Sequence, residues 1–397
     1  MADNKQLIAK LSDVLDRQVE LQNTAGVNLL ILQEGKEIAY VQSGYADVET
    51  KKTFDRDTIM RIYSMTKPIT SAAVMILVQR GLISLGEPVK KYLPGFENQM
   101  VRTPDGKTSP VARPAYIRDL LSMTSGMPYG DPNGKGVFAY AQRVFDEIDR
   151  RLYTDDQMST LEIANALGEA GCAFTPGDSW LYGTSADILG AIVEVVSKMP
   201  FGEFLQKELF DPLEMSDTGF YVPENKRSRM ANAYERRGGS LELFETNNLG
   251  MKYMRETKPA FESGGAGLTS TIDDYSHFAQ MLINGGIYKG RQILDEKIVE
   301  YCTKGRLNAW QEEAMWRSWD GHSGYSYGCL MQHMVEPQKA YHLCWMDEYG
   351  WDGWLGTYFC NSPHNKVTIL IGEQISNPEG NLVYEKVKNV LCQSIGY

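Results

Sequence analysis

An α+β fold is expected, with an antiparallel sheet flanked by helices and a second, mainly helical lobe. Three features of the 397-residue chain point that way. A helix and an apolar hairpin open it. Strand patterns return from residue 324 onward. The stretch between reads as helix and loop. Strands from the two ends can share one sheet, leaving the middle as a lobe of its own and a crevice between the two. The expected division is residues 1–75 and 255–397 for the sheet domain and 76–254 for the helical one.

Each element has its own signal. Residues 5–22 place Leu7, Ile8, Leu11, Val14, Leu15 and Val19 on one helical face. "GVNLLILQEGKEIAYVQSGYAD" is a hairpin with its turn at Glu34, Gly35 and Lys36. "TKPITSAAVMILVQRGLI" is a strongly apolar helix that begins near Ser64. In the middle third, "TLEIANALGEAG" and "SADILGAIVEVVSKMPFGEFLQKELF" are the clearest helices. "STIDDYSHFAQMLINGG" carries a Ser/Thr/Asp start and a Gly-Gly stop. Strands are expected in "GYSYGCLMQHM", "AYHLCWMDEYG", "WLGTYFCNS" and "KVTILIGEQI", and a last helix in "GNLVYEKVKNVLCQSI".

Composition removes several function classes. The net charge of −11 and the lack of a Lys/Arg cluster argue against a nucleic-acid binder. No apolar run approaches the ~20 residues of a membrane span. The charged, amphipathic N-terminus lacks the order of a signal peptide. Six cysteines without C-x-x-C spacing read as reduced thiols rather than a disulfide framework. The five histidines form no H-x-x-x-H pattern, so no metal is expected. Together these lead us to expect a cytoplasmic protein without a nucleic-acid or membrane partner and without a metal cofactor.

The chemistry starts at Ser64-Met65-Thr66-Lys67. A serine hydroxyl needs a base to become a nucleophile. If Ser64 opens a helix, Lys67 lies one turn on and on the same face, within reach of the serine oxygen. Desolvation and the positive helix end both favour a neutral amine there. Alone, the pattern also fits a surface serine and a solvated lysine. Tyr182, in a turn before an apolar helix, could carry a proton to a leaving group, or could be a packed core tyrosine. In "YGWDGWLGTYFC", Gly353 would let the backbone approach a ligand, with the N–H of Trp354 joining that of Ser64 as an oxyanion hole. A tight aromatic hairpin is the other reading.

These elements, colinear and embedded in "FDRDTIMRIYSMTKPITSAAVMILVQRGLISLGEPVKKYLPGF", "IRDLLSMTSGMPYG", "FTPGDSWLYGTSADILGAIVE" and "GGAGLTSTIDDYSHFAQMLINGG", resemble the serine β-lactamase and penicillin-binding-protein superfamily over most of residues 25–375. Within it the chain looks most like class C-like members, especially the family VIII carboxylesterases and related acyltransferases. The resemblance implies the two-lobed β-lactamase-like fold. It also implies acyl transfer through an acyl-Ser64 enzyme, with Lys67 and Tyr182 sharing the proton traffic, on a small ester or amide substrate. Trp351, Asp352 and Gly353 stand where β-lactamases carry K-T-G, so the cation and hydroxyl that grip a β-lactam carboxylate are missing. Thr184 stands where those enzymes have Asn. A carboxylesterase is therefore expected, ahead of a β-lactamase, a D-alanyl peptide hydrolase, an acyltransferase or a non-catalytic binding protein of this fold. Tyr63, Trp180, Trp351 and Trp354 are the aromatic candidates for an acyl pocket, beside Asp352 and Gly353.

Overall fold

The computed structural model describes residues 2–376 and 383–395. Its centre is an eight-stranded sheet built from both ends of the chain. Strands β1 (Gly26–Gln33), β2 (Lys36–Asp47) and β3 (Lys52–Thr53) come from the start. Strands β4 (Tyr325–Gly328), β5 (Met331–Met334), β6 (Tyr349–Asp352), β7 (Tyr358–Ser362) and β8 (Val367–Glu373) come from the end. The order is β4-β5-β6-β7-β8-β1-β2-β3, and every pairing is antiparallel. The seam between the two ends is β1 against β8, with Leu30 opposite Leu370.

Both faces of the sheet are covered, which is why β1 is buried continuously from Gly26 to Leu32 rather than on alternate residues. Val27, Leu29 and Ile31 pack on α1 (Ala2–Glu20) and on the C-terminal helix Val383–Ile395, through Leu7, Leu11, Leu15, Val387 and Leu391. Leu30, Leu32 and Leu370 belong to the opposite cluster. That cluster includes α2 (Thr66–Gln79), the helix Ile272–Ile283 and the helical middle of the chain. No helix among the described residues is long and apolar enough to cross a membrane. All six cysteines are free and buried.

Several expected elements come out differently. Residues 324–334, expected as one strand, form the hairpin β4–β5, with Gly328 opposite Met331. Its turn residues Cys329 and Leu330 both take positive φ, 49° and 60°, although neither is a residue that advertises such a turn. The Leu330 N–H is held by the Leu121 carbonyl at 2.8 Å. Residues 340–348, expected as a strand, are loop and turn. Side chains satisfy the backbone there: Leu343 N–H donates to Asn389 Oδ1 at 2.8 Å and Trp345 N–H to Glu348 Oε2 at 3.0 Å. The expected strand at 354–362 begins only at Tyr358, because 353–357 is the turn joining β6 to β7. The long helix expected over 185–210 stops at Ser197, where Lys198 turns left-handed at φ 58° and Pro200 follows. The last expected helix, 380–395, starts within residues that lie outside the described ones and is seen as Val383–Ile395.

The C-terminal helix is pinned by a buried charge cluster. Lys388 Nζ donates to Glu348 Oε1 and contacts His342 Nε2 at 3.0 Å, and Tyr325 OH donates to the same carboxylate oxygen at 2.5 Å. Neither charged side chain is exposed at all. Removing one partner strands the other charge away from water. Lys388→Met is therefore expected to lose about 3–5 kcal/mol of unfolding free energy. A urea titration checks it, and a loss below about 1 kcal/mol, the range of exposed pairs, would contradict the buried pairing.

Candidate active site

Ser64 sits in a short 3-10 turn, Tyr63–Met65, that feeds directly into α2. Tyr63 adopts φ 41°, a left-handed conformation uncommon for a bulky side chain, and this kink brings Ser64 to the helix entrance. The helix below is buried almost all round, from Thr66 to Leu77. Its start is fixed by Tyr275 OH donating to the Met65 carbonyl at 2.9 Å and Leu268 N–H donating to Thr66 Oγ1 at 3.1 Å.

The i,i+3 geometry is met: Lys67 Nζ donates to Ser64 Oγ at 3.1 Å. It also donates to Tyr129 OH at 3.0 Å and to the Gly265 carbonyl at 2.8 Å. Lys67 is wholly buried, and among the described residues no carboxylate forms an ion pair with it. Burial pushes its amine down to about 7, with Asp187 and Asp352 opposing the shift. Asp187 organises the loop that meets Lys67, accepting from Ser263 Oγ at 2.6 Å and from Gly265 N–H at 3.0 Å. A Cβ at Gly265 would fall 2.8 Å from Asp187 Oδ2 and 3.1 Å from Tyr129 OH, so only glycine lets this carbonyl come so close.

Tyr182 stands over the same amine, its ring centroid 4.5 Å from Lys67 Nζ. Its hydroxyl accepts from Trp351 Nε1 at 3.2 Å. Burial raises the Tyr182 phenol well above its ordinary value, and hydrogen bonding with Ser64 partly offsets this. Tyr182 therefore keeps its proton at neutral pH. Strand β6 ends at Asp352 and hands over to Gly353, whose N–H donates to the Thr357 carbonyl at 2.7 Å. A Cβ on Gly353 would lie 2.4 Å from the Ile62 carbonyl oxygen, so this glycine brings the turn against the backbone just before Ser64. Among the described residues, neither the Ser64 nor the Trp354 N–H has a backbone acceptor.

Ser64 and Tyr182 open onto a cleft of about 460 Å³ that Asp352, Gly353 and Trp354 also line. The other expected pocket residues lie behind its surface. Trp351 is fully buried and serves as donor to Tyr182. Trp180, 3% exposed, stacks on Tyr182 with centroids 6.2 Å apart. Tyr63, also 3% exposed, packs edge-on against Trp354 at 5.2 Å. Alternation in β6 explains Trp351: with Asp352 facing the cleft, its neighbour must face the core. Wall residues that sequence reasoning missed are Trp319, His322, Thr357, Tyr358 and Tyr384. Tyr129, Asp187 and Gly265 were also missed. Thr357 and Tyr358 lie in the quoted stretch around Gly353, and Tyr129, Asp187 and Gly265 in the stretches that carry the family resemblance, but no local pattern singles these residues out within them; Trp319, His322 and Tyr384 come from outside those stretches.

Comparison with known proteins identifies the family. The Beta-lactamase family model matches residues 11–387. Esterase EstB of Burkholderia gladioli is 31% identical over 284 residues, covering 68% of this chain and 69% of that protein. Protein Rv1367c of Mycobacterium tuberculosis is 29% identical over 357 residues, covering 87% of this chain and 84% of the relative. Among solved structures, EstCE1, described as a hydrolase with promiscuous acyltransferase activity, superposes with a TM-score of 0.80 at 22% identity, covering 98% of this chain and all of that one. The chain belongs to the Beta-lactamase family. It is a serine hydrolase of that superfamily.

Proposed function

We propose that the protein hydrolyses small carboxylic esters through an acyl-Ser64 intermediate. The observation that carries this reading is Lys67: an amine 3.1 Å from Ser64 Oγ, wholly buried, without a paired carboxylate among the described residues, and with its titration brought down to about 7. Neutral Lys67 takes the Ser64 proton as Oγ bonds to the ester carbonyl carbon. The carbonyl π electrons move to oxygen, where the N–H groups of Ser64 and Trp354 hold the charge. Collapse breaks the bond to the alkoxide. Tyr182 passes its phenolic proton to that leaving oxygen and is reprotonated from Lys67. Water then attacks the acyl-enzyme by the reverse proton route, releasing the carboxylic acid and free Ser64. Tyr129 and the Gly265 carbonyl keep the amine pointed at Ser64.

The pH dependence follows from the direction of the Lys67 shift. The working form is the deprotonated amine, so kcat/KM should climb as pH rises through about 7 and fall away below it. A log kcat/KM profile flat from pH 5.5 to 8.5 would contradict Lys67 as the base.

An ester is preferred over a β-lactam because of the wall. Among the described residues no arginine or lysine lines the cleft, and Asp352 does. A β-lactam carboxylate would be desolvated there without a cation and beside a like charge. We expect kcat/KM for p-nitrophenyl butyrate to exceed that for nitrocefin by at least about 100-fold, the cost of a few kcal/mol for an unpaired polar group. Nitrocefin being the better substrate would overturn the esterase reading.

A further inference from the structure

The cleft wall has more in it than a neutral acyl group requires, and what it adds bears on the substrate of the ester hydrolase proposed above. Trp319, Trp354, Tyr384 and Tyr182 line the cleft together with one carboxylate, Asp352, and Tyr358 lines it with little of its side chain exposed. The rings are fixed against one another. Tyr182 and Trp319 have centroids 4.5 Å apart, and Tyr358 and Tyr384 stack at 4.8 Å with planes 17° apart. Trp354 is wedged between Tyr63 and Phe244, at 5.2 and 5.3 Å.

Asp352 has no ion-pair or side-chain hydrogen-bond partner among the described residues. The charged or titratable groups whose fields act on it most are His322 and Lys67. Both are engaged elsewhere. Lys67 is held by Ser64, Tyr129 and the Gly265 carbonyl. His322 Nδ1 contacts Gln332 Oε1 at 2.5 Å, and its ring stacks on Trp351 with centroids 5.4 Å apart. A carboxylate drawn out of water without a cation gains most from a ligand that brings one. Aromatic faces attract the same kind of group through their negative quadrupole. The net charge of −11 favours the approach of cations to the molecule as a whole.

We propose that the ester hydrolysed here carries an ammonium group, quaternary or protonated, within a few bonds of the reacting carbonyl, held between Asp352 and the aromatic wall. The acyl or the alcohol portion can bear it, and two isosteric pairs of esters separate these cases. The p-nitrophenyl esters of trimethylammonioacetic acid and of 3,3-dimethylbutanoic acid test the acyl side. Acetylcholine and 3,3-dimethylbutyl acetate test the alcohol side. Each kcat/KM is divided by that ester's own hydroxide rate constant, which removes intrinsic reactivity.

The expected result is a preference for the cation of about tenfold or more in at least one pair. In Asp352→Asn that ratio should fall several-fold. A second measurement needs no variant: tetramethylammonium chloride should inhibit hydrolysis of the carbon esters competitively, where equal sodium chloride does not. Turnover of the carbon esters with no cation preference in either pair and no tetramethylammonium inhibition overturns this inference and leaves the hydrolase reading standing. A preference that survives intact in Asp352→Asn overturns the role given to the carboxylate. No turnover of any of the four esters overturns the hydrolase reading, and this inference with it.

Discussion

Ser64→Ala should lower kcat/KM for a p-nitrophenyl ester by about four orders of magnitude or more while the protein stays folded. The size follows from chemistry: without the Oγ there is no oxygen to acylate, and what remains is binding and whatever the oxyanion donors do for attack by water. The intact fold follows from packing. Ser64 is only half-buried, and the start of α2 is held by Tyr275 OH on the Met65 carbonyl and by Leu268 N–H on Thr66 Oγ1. Thermal unfolding of the variant should match that of the parent. Uncontaminated variant that keeps more than about a tenth of the activity would be inconsistent with an acyl-Ser64 route.

Lys67→Ala and Tyr182→Phe should each cost about three orders of magnitude or more, and the double variant should be little worse than the worse single one. The three groups meet at one point: Lys67 donates to Ser64 Oγ at 3.1 Å, and the Tyr182 ring lies 4.5 Å from the Lys67 amine. Under the relay proposed for them, losing either member stops the same proton. The measurement is kcat/KM for all four forms at one pH above 7, where the parent amine is mostly neutral. Losses that multiply fully would show two independent contributions, and Tyr182 would then be a packing residue.

Those two side chains differ in how they can be found. The Ser64–Lys67 contact is local, since a spacing of three on one helical face sets the distance before any tertiary structure exists. Tyr182 is one of 22 tyrosines and stands out only because its turn precedes an apolar helix in a colinear set of motifs. Tyr129 has no such mark. It reaches Lys67 because the loop carrying it packs beside Tyr182, with ring centroids 5.9 Å apart. Asp187 lies inside an ordinary apolar helix pattern, and its purpose emerges only when the Ser263–Gly265 loop folds onto it.

The fold divides along the same line. Period and turn chemistry mark the β1–β2 hairpin, where Glu34 and Gly35 take φ 51° and 75° as a two-residue turn requires. They fail at 340–348, where buried Cys344 and Trp345 imitate a strand. Those apolar side chains are buried by a loop whose amides bond to Asn389 and Glu348 instead of to a neighbouring strand. Hydrophobicity reports burial, and burial alone does not say which partner the backbone has found.

The proposed reaction passes through a covalent bond to one oxygen, and intact-mass spectrometry reads it directly. The protein is mixed with excess p-nitrophenyl butyrate, quenched in acid within the first turnovers, weighed, and digested for peptide mapping. An acyl-Ser64 route gives one added butyryl group per chain, carried by the peptide containing Ser64, and no adduct in Ser64→Ala. Rapid ester turnover with an adduct on another residue, or an adduct that persists in Ser64→Ala, would contradict it.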